Sequence, residues 1–153
     1  MSPSTLSPTE LLDLMPQTEP FRFVDRVLEV DQAHIVASYR FREDAYFYSG
    51  HFPGVPITPG VIVLEAMAQC GLVLHGLYLL ALEVTRQELK TYRTMFTNAQ
   101  IEWSSAVLPG DSIVTRGEVL TFRRRRMRVR VETRNDRGQM IACGEIAGMG
   151  VRI

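Results

Sequence analysis

The chain has little of what marks disulfide-stapled, metal-stapled or nucleic-acid-binding proteins. Its two cysteines, Cys70 and Cys143, stand in apolar sequence without CxxC spacing, so neither a disulfide framework nor a metal knuckle is indicated and both read as buried thiols. Neither sign of charge is in excess. Seventeen basic residues against seventeen acidic ones leave no net field to attract a nucleic acid, so a charged partner must meet a local patch. There is no internal repeat or low-complexity tract, and a composition 46% apolar and 22% charged is far from that of a disordered chain. The opening MSPSTLSPTELLDLMPQTEP has no basic start followed by an apolar run; it does not read as a secretory signal, and cytoplasm is the expected location. A length of 153 residues suits one domain over residues 1–153.

Ser7 to Glu10 has the spacing of a capping box with Pro8 at the first helical position, so a short helix over LLDLM is expected, ended by Pro16. Phe21 to Val30 and Ala33 to Phe41 have the β-branched and aromatic content of a hairpin. The remainder after residue 96 reads as strands: Thr97 to Val107, Ser112 to Phe122, Arg125 to Arg134 and Gln139 to Val151. Between these groups lies VIVLEAMAQCGLVLHGLYLLALEV, Val61 to Val84. Its Leu, Ala and Met content favours helix, about 36 Å long and apolar nearly all round.

Such a helix either spans a bilayer or forms a core. Glu65, Gln69 and His75 interrupt it and strands surround it, so a core helix is expected, with no membrane insertion. Gly71 and Gly76 then suggest close backbone packing. With one long helix and a run of strands, the layer rule favours an α+β architecture, a curved antiparallel sheet wrapped around the helix. A single sheet covers only one side of it, so the other side calls for a second copy in a symmetric dimer.

Chemistry concentrates at GHFPGVPITPGVIVLEAMAQCG, Gly50 to Gly71. A carboxylate costs several kcal/mol to desolvate without a partner, so Glu65 is there paired, protonated or useful. Gln69, one helical turn on, can orient it. Burial raises a carboxyl pKa, which suits a proton donor near neutrality. His51 is a base of suitable pKa in a loop stiffened by Pro53, Pro56 and Pro59. Gly60 offers an N–H at the positive end of the helix, where an oxyanion can develop. Singly, each has an ordinary explanation, since loop histidines mostly pack and His75 and His34 read as core and strand residues. Together they form a candidate acid–base site.

Those residues closely resemble the active-site signature of the 3-hydroxyacyl-acyl-carrier-protein dehydratases, which have the hot-dog fold. PFRFVDRVLEVD at Pro20 to Asp31 and VLPGD at Val107 to Asp111 extend the likeness to PFLLVDRV and VxPGD segments of that family. The resemblance implies His51 as the base for the α-proton, Glu65 as the acid for the β-hydroxyl, the Gly60 amide at the thioester carbonyl and the Ile57 carbonyl orienting the imidazole. It implies an acyl carrier protein bearing phosphopantetheine as partner, no metal or redox cofactor, and sites shared across a homodimer that can build hexamers. Glutamate rather than aspartate at position 65 matches the non-isomerising branch. Pro16-Gln17-Thr18-Glu19-Pro20-Phe21 departs from the family's PHRYPF, and IEWSSAVLPGD from its basic lead-in. These departures admit a specialised lipid or polyketide pathway. Thioesterase chemistry, with Glu65 activating water, is the alternative.

From position alone, Phe52, Met67 and Leu72 are candidates to line an acyl tunnel. In FRRRRMRVRV, Arg124, Arg126, Arg128 and Arg130 would share one strand face opposite Met127, Val129 and Val131. That stripe is either a solvated sheet face or a contact for the acidic carrier.

Overall fold

The computed structural model describes residues 4–153. A helix α1 (Pro8–Leu14) opens the chain, with the Ser7 and Glu10 capping box formed. Strands β1 (Arg26–Val30) and β2 (His34–Arg40) follow, then the central helix, a short helix α4 (Arg86–Leu89), and strands β3 (Tyr92–Trp103), β4 (Ser112–Arg123), β5 (Arg126–Asn135) and β6 (Met140–Arg152). The strands form one antiparallel sheet in the order β1-β2-β4-β5-β6-β3. This is the expected α+β architecture.

The central helix is one continuous run in three parts: α2 (Gly60–Ala68), a π-helical turn (Gln69–Val73) and α3 (Leu74–Leu80). By length and composition it could cross a membrane, but most of it is buried inside the protein, as a core helix is. Its residues Ala66, Met67, Cys70, Leu72 and Leu74 pack with Ile35, Val129, Val131 and Ile146 of the sheet in a single core. A π turn inserts one residue and shifts the faces before and after it relative to each other, a distortion often found at functional sites.

Gly71 lies in that turn, where the helix backbone meets the sheet backbone. A Cβ on Gly71 would come to 2.7 Å of Val131 Cγ1, and one on Gly117 of β4 to 3.1 Å of Gly71 Cα. Gly76 differs, since a Cβ there would touch only Met127 Sδ at 3.7 Å. Close packing thus explains Gly71 and not Gly76. His75 is fully buried. Its Nε2 donates to the Asp31 carbonyl at 2.7 Å and burial lowers its pKa, so within this chain it is a histidine of the core.

Several boundaries differ from the sequence reading. β1 starts at Arg26 rather than Phe21, because Phe21 to Phe23 spend their backbone groups on the central helix. β3 begins at Tyr92 and ends at Trp103, and Ser104 to Val107 run as a loop. Helix α4 was not foreseen, although Thr85 and Glu88 form a capping box that the sequence displays. Arg124 leaves the arginine stripe altogether. With φ 53° and 59°, Arg124 and Arg125 make the two-residue turn between β4 and β5, a conformation for which Asn-Gly is the usual sequence signal. Below the turn the alternation holds, with Met127, Val129 and Val131 buried and Arg126 and Arg130 exposed. Cys70 is buried, its thiol pKa pushed up to about 12 by desolvation, whereas Cys143 is only half-buried.

The two helical glycines make a direct test. Gly71→Ala should destabilise the protein by about 1–3 kcal/mol through overpacking, and Gly76→Ala should be neutral or stabilising by up to about 1 kcal/mol. Urea unfolding of both variants measures this.

Candidate active site

Glu65 and Gln69 meet as their spacing implied. Gln69 Nε2 donates to Glu65 Oε1 at 2.9 Å and to the Phe21 carbonyl at 3.0 Å, while Gln69 Oε1 accepts from Phe23 N–H at 2.7 Å. The backbone donor on Phe23 fixes which end of the amide is oxygen, so the NH2 must face the carboxyl. Gln69 is fully buried and every hydrogen bond it makes does work here: one joins the PFRF segment to the helix, another aims Glu65. The same segment is anchored on its other side, where Arg22 donates to the carbonyls of Leu12, Met15 and Gln17 at the end of α1.

Glu65 itself is half-buried, and burial raises its carboxyl pKa against the opposing pull of the Gln69 hydrogen bond. Because Oε1 accepts from Gln69, the proton of the neutral acid sits most favourably on Oε2. The carboxyl opens onto a hollow lined by Gln17, Ala68, Leu72, Val73, Thr94 and Phe96. Leu72 and Thr94 also line a second, more apolar cleft that ends at Leu80, Tyr92, Arg125 and Met127. Of the tunnel candidates, Leu72 lines both hollows. Met67 does not. Two residues beyond Glu65 it points to nearly the opposite side of the helix and is fully buried in the core. Phe52 is exposed and stacks on His51, ring centroids 4.2 Å apart.

His51 sits in a tight loop. Its Nδ1 hydrogen-bonds the Ile57 carbonyl at 2.8 Å, and the Ile57 N–H donates back to the His51 carbonyl at 2.9 Å. A carbonyl only accepts, so Nδ1 carries a proton, and the neutral ring then has its lone pair on Nε2. Thr58 N–H donates to the Val107 carbonyl at 2.9 Å, and the Tyr48 hydroxyl contacts the Thr58 hydroxyl at 2.6 Å. These bonds pin the loop to the VLPGD turn. Gly60 begins α2, where first-turn N–H groups have no intrahelical partner.

Sequence reading missed Trp103. Its indole N–H donates to the Gly60 carbonyl at 3.1 Å, and a Cβ on Gly60 would lie 3.4 Å from the ring. Its one sequence cue is that it is the single tryptophan, which says nothing of Gly60. The outward arginines are not beside the site. Arg130 lies opposite Glu118 and Glu145 in register, and Arg116 opposite Glu132, so that face carries alternating charges. Neither the Glu65 hollow nor the apolar cleft beside it is lined by His51 of the same chain.

Comparison with known proteins adds the chemistry. The FabA-like domain family matches residues 15–145. The 3-hydroxyacyl-[acyl-carrier-protein] dehydratase FabZ of Xylella fastidiosa is 35% identical over 141 residues, 91% of this chain and 85% of that protein. Among solved structures, the dehydratase heterocomplex ApeI:P of Xenorhabdus doucetiae superposes with a TM-score of 0.73 at 15% identity, covering 96% of this chain and 93% of that one. A thioesterase of Haemophilus influenzae does so with a TM-score of 0.69 at 10% identity, covering 99% and 94%. At those identities the two structures bear on the fold alone, which is the hot-dog fold.

Gln69→Leu separates the two effects on Glu65. Losing the donated hydrogen bond should raise the carboxyl pKa further, and leaving Phe23 N–H unpaired should cost about 1–3 kcal/mol of stability. A pH titration of the Glu65 carboxyl carbon shift, with urea unfolding alongside, checks both.

Proposed function

The chain belongs to the family of FabA-like domains, and from that membership we propose that His51 and Glu65 carry out the dehydration of a 3-hydroxyacyl thioester held on acyl carrier protein. The enzyme is a 3-hydroxyacyl-acyl-carrier-protein dehydratase of fatty acid biosynthesis, like the relatives it matches over most of its length. The observation that carries the assignment of roles is the pair of complementary proton positions. His51 Nε2 offers a lone pair because Nδ1 is spent on Ile57, and burial favours the protonated form of Glu65.

In the forward direction His51 Nε2 takes the α-proton, and the charge that develops on the thioester oxygen is met by the Gly60 N–H at the helix start. Electrons from the α-carbon form the new double bond as the β C–O bond breaks, and Glu65 Oε2 supplies the proton that lets the hydroxyl leave as water. One proton is gained by His51 and one lost by Glu65, so the pair is reset by a return transfer and no net proton is consumed. Hydration runs the same steps backwards.

The two groups are brought to one substrate by a second copy of the chain. β3 is the last strand of the sheet order, so one of its edges has no partner among the described residues. Along it Met95, Phe96 and Trp103 are 52%, 47% and 47% exposed, large apolar side chains on an unpaired edge of the kind that pairs with another chain. Thr94 and Phe96, toward one end of β3, flank the Glu65 hollow, and Trp103, at the other end, sits on Gly60. Antiparallel pairing of two such strands about a two-fold axis carries the partner's Gly60 and His51 toward Glu65. The acyl chain then runs past Leu72 into the cleft between α3 and the start of β3. Arg124 and Arg126 flank Arg125 at the far end of that cleft, beside the acyl tail rather than the phosphopantetheine arm, while Arg128 lies opposite Thr121 and Ala147 and Arg130 faces glutamates on both sides.

Hydration of an enoyl thioester, followed as loss of its ultraviolet absorbance, should fall at least about 100-fold in His51→Ala and in Glu65→Gln. No free thiol should accumulate. Release of thiol at a comparable rate would instead favour a thioesterase.

A further inference from the structure

One polar group beside Glu65 has no role in the steps above. Gln17 lines the same hollow as Glu65, Leu72 and Thr94, and its side-chain oxygen is buried without a hydrogen-bond partner among the described residues. An unsatisfied buried acceptor costs about 1–3 kcal/mol, so such an atom on a residue of the hollow's wall calls for a donor that arrives from outside. The backbone carbonyl of Gln17 is separately held by Arg22 Nε at 2.7 Å, which fixes where the side chain starts.

We propose that the Gln17 side-chain oxygen accepts a hydrogen bond from the β-hydroxyl of the substrate and so selects and orients the 3-hydroxyacyl group for proton transfer from Glu65. A hydroxyl has one donor and two acceptor lone pairs. Donating to Gln17 turns a lone pair toward Glu65 Oε2, whose own position is set by the Gln69 bond to Oε1. When the C–O bond breaks, the oxygen takes its second proton from Glu65 and departs as water, still held by Gln17 through the first. The group is satisfied only while substrate or that water is present, so it rewards the hydroxyl specifically and is indifferent to the alkyl chain. This rests on the dehydratase reading, and the test below keeps the two apart.

The measurement uses full-length His51→Ala protein, in which the α-proton cannot be removed and a 3-hydroxyacyl ligand stays intact while Gln17 and Glu65 are unchanged. N-acetylcysteamine thioesters of one chain length, with and without the 3-hydroxyl, are titrated by calorimetry, so carrier docking plays no part. The hydroxylated ligand should bind ~3- to 10-fold tighter, the worth of one neutral hydrogen bond. Adding Gln17→Met, which keeps length and removes the amide, should abolish that ratio while leaving the affinity of the unhydroxylated ligand unchanged. In the enzyme with His51 intact, Gln17→Met should lower kcat/KM by a similar factor, and Gln17→Asn, with the acceptor drawn back by one carbon, should not restore it. An unchanged ratio in Gln17→Met overturns the inference and leaves the dehydratase reading standing. A shift in the Glu65 titration with no change in the ratio does the same, since Gln17 would then act on the acid and not on the substrate. Failure of both thioesters to bind overturns the dehydratase reading, and the inference with it.

Discussion

The site depends on one buried amide. Gln69 receives the Phe23 N–H, donates to the Phe21 carbonyl and holds Glu65, and the rest of the arrangement follows from its being fully inside the core. A carboxyl at the edge of an apolar helix is biased toward its protonated form by desolvation, while the amide keeps it from being lost to solvent or turned away. The two influences oppose one another on the pKa and cooperate on geometry. That is what a general acid working near neutral pH requires, a proton held loosely enough to give and in a fixed direction.

The surrounding fold supplies the apolar setting. The sheet can approach the helix closely because Gly71 and Gly117 face each other with no side chain between them, and this contact lies in the π turn that starts at Gln69. Packing and chemistry therefore share one stretch of chain. On the opposite loop, stiffness has another source. His51 is held by paired hydrogen bonds with Ile57, and the loop is tied to the turn after Val107, so the imidazole is fixed by backbone rather than by a core.

Much of this was legible in the amino-acid order. Strand and helix types followed from β-branched content and from an apolar run too long for a strand, and Glu65 was conspicuous as a carboxyl inside that run. The four-residue step to Gln69 predicted the hydrogen bond found. Other features had no local signal. Nothing in QCGLV marks a π turn, and Arg-Arg is not a pair that announces a turn with positive φ. Met67 stands between Glu65 and Gln69 in sequence, but its rotation about the helix axis turns it into the core. Trp103 and Gln17 are distant from the central motif in sequence, and only the fold brings them to Gly60 and to the Glu65 hollow.

The central claim is that the imidazole of one chain and the carboxyl of another serve the same substrate. Co-expression of differently tagged His51→Ala and Glu65→Gln chains, with purification through both tags, isolates the mixed dimer. Such a dimer holds one site with both groups replaced and one with both intact, so it should dehydrate at about half the wild-type rate. A mixed dimer as inactive as either parent would contradict the account.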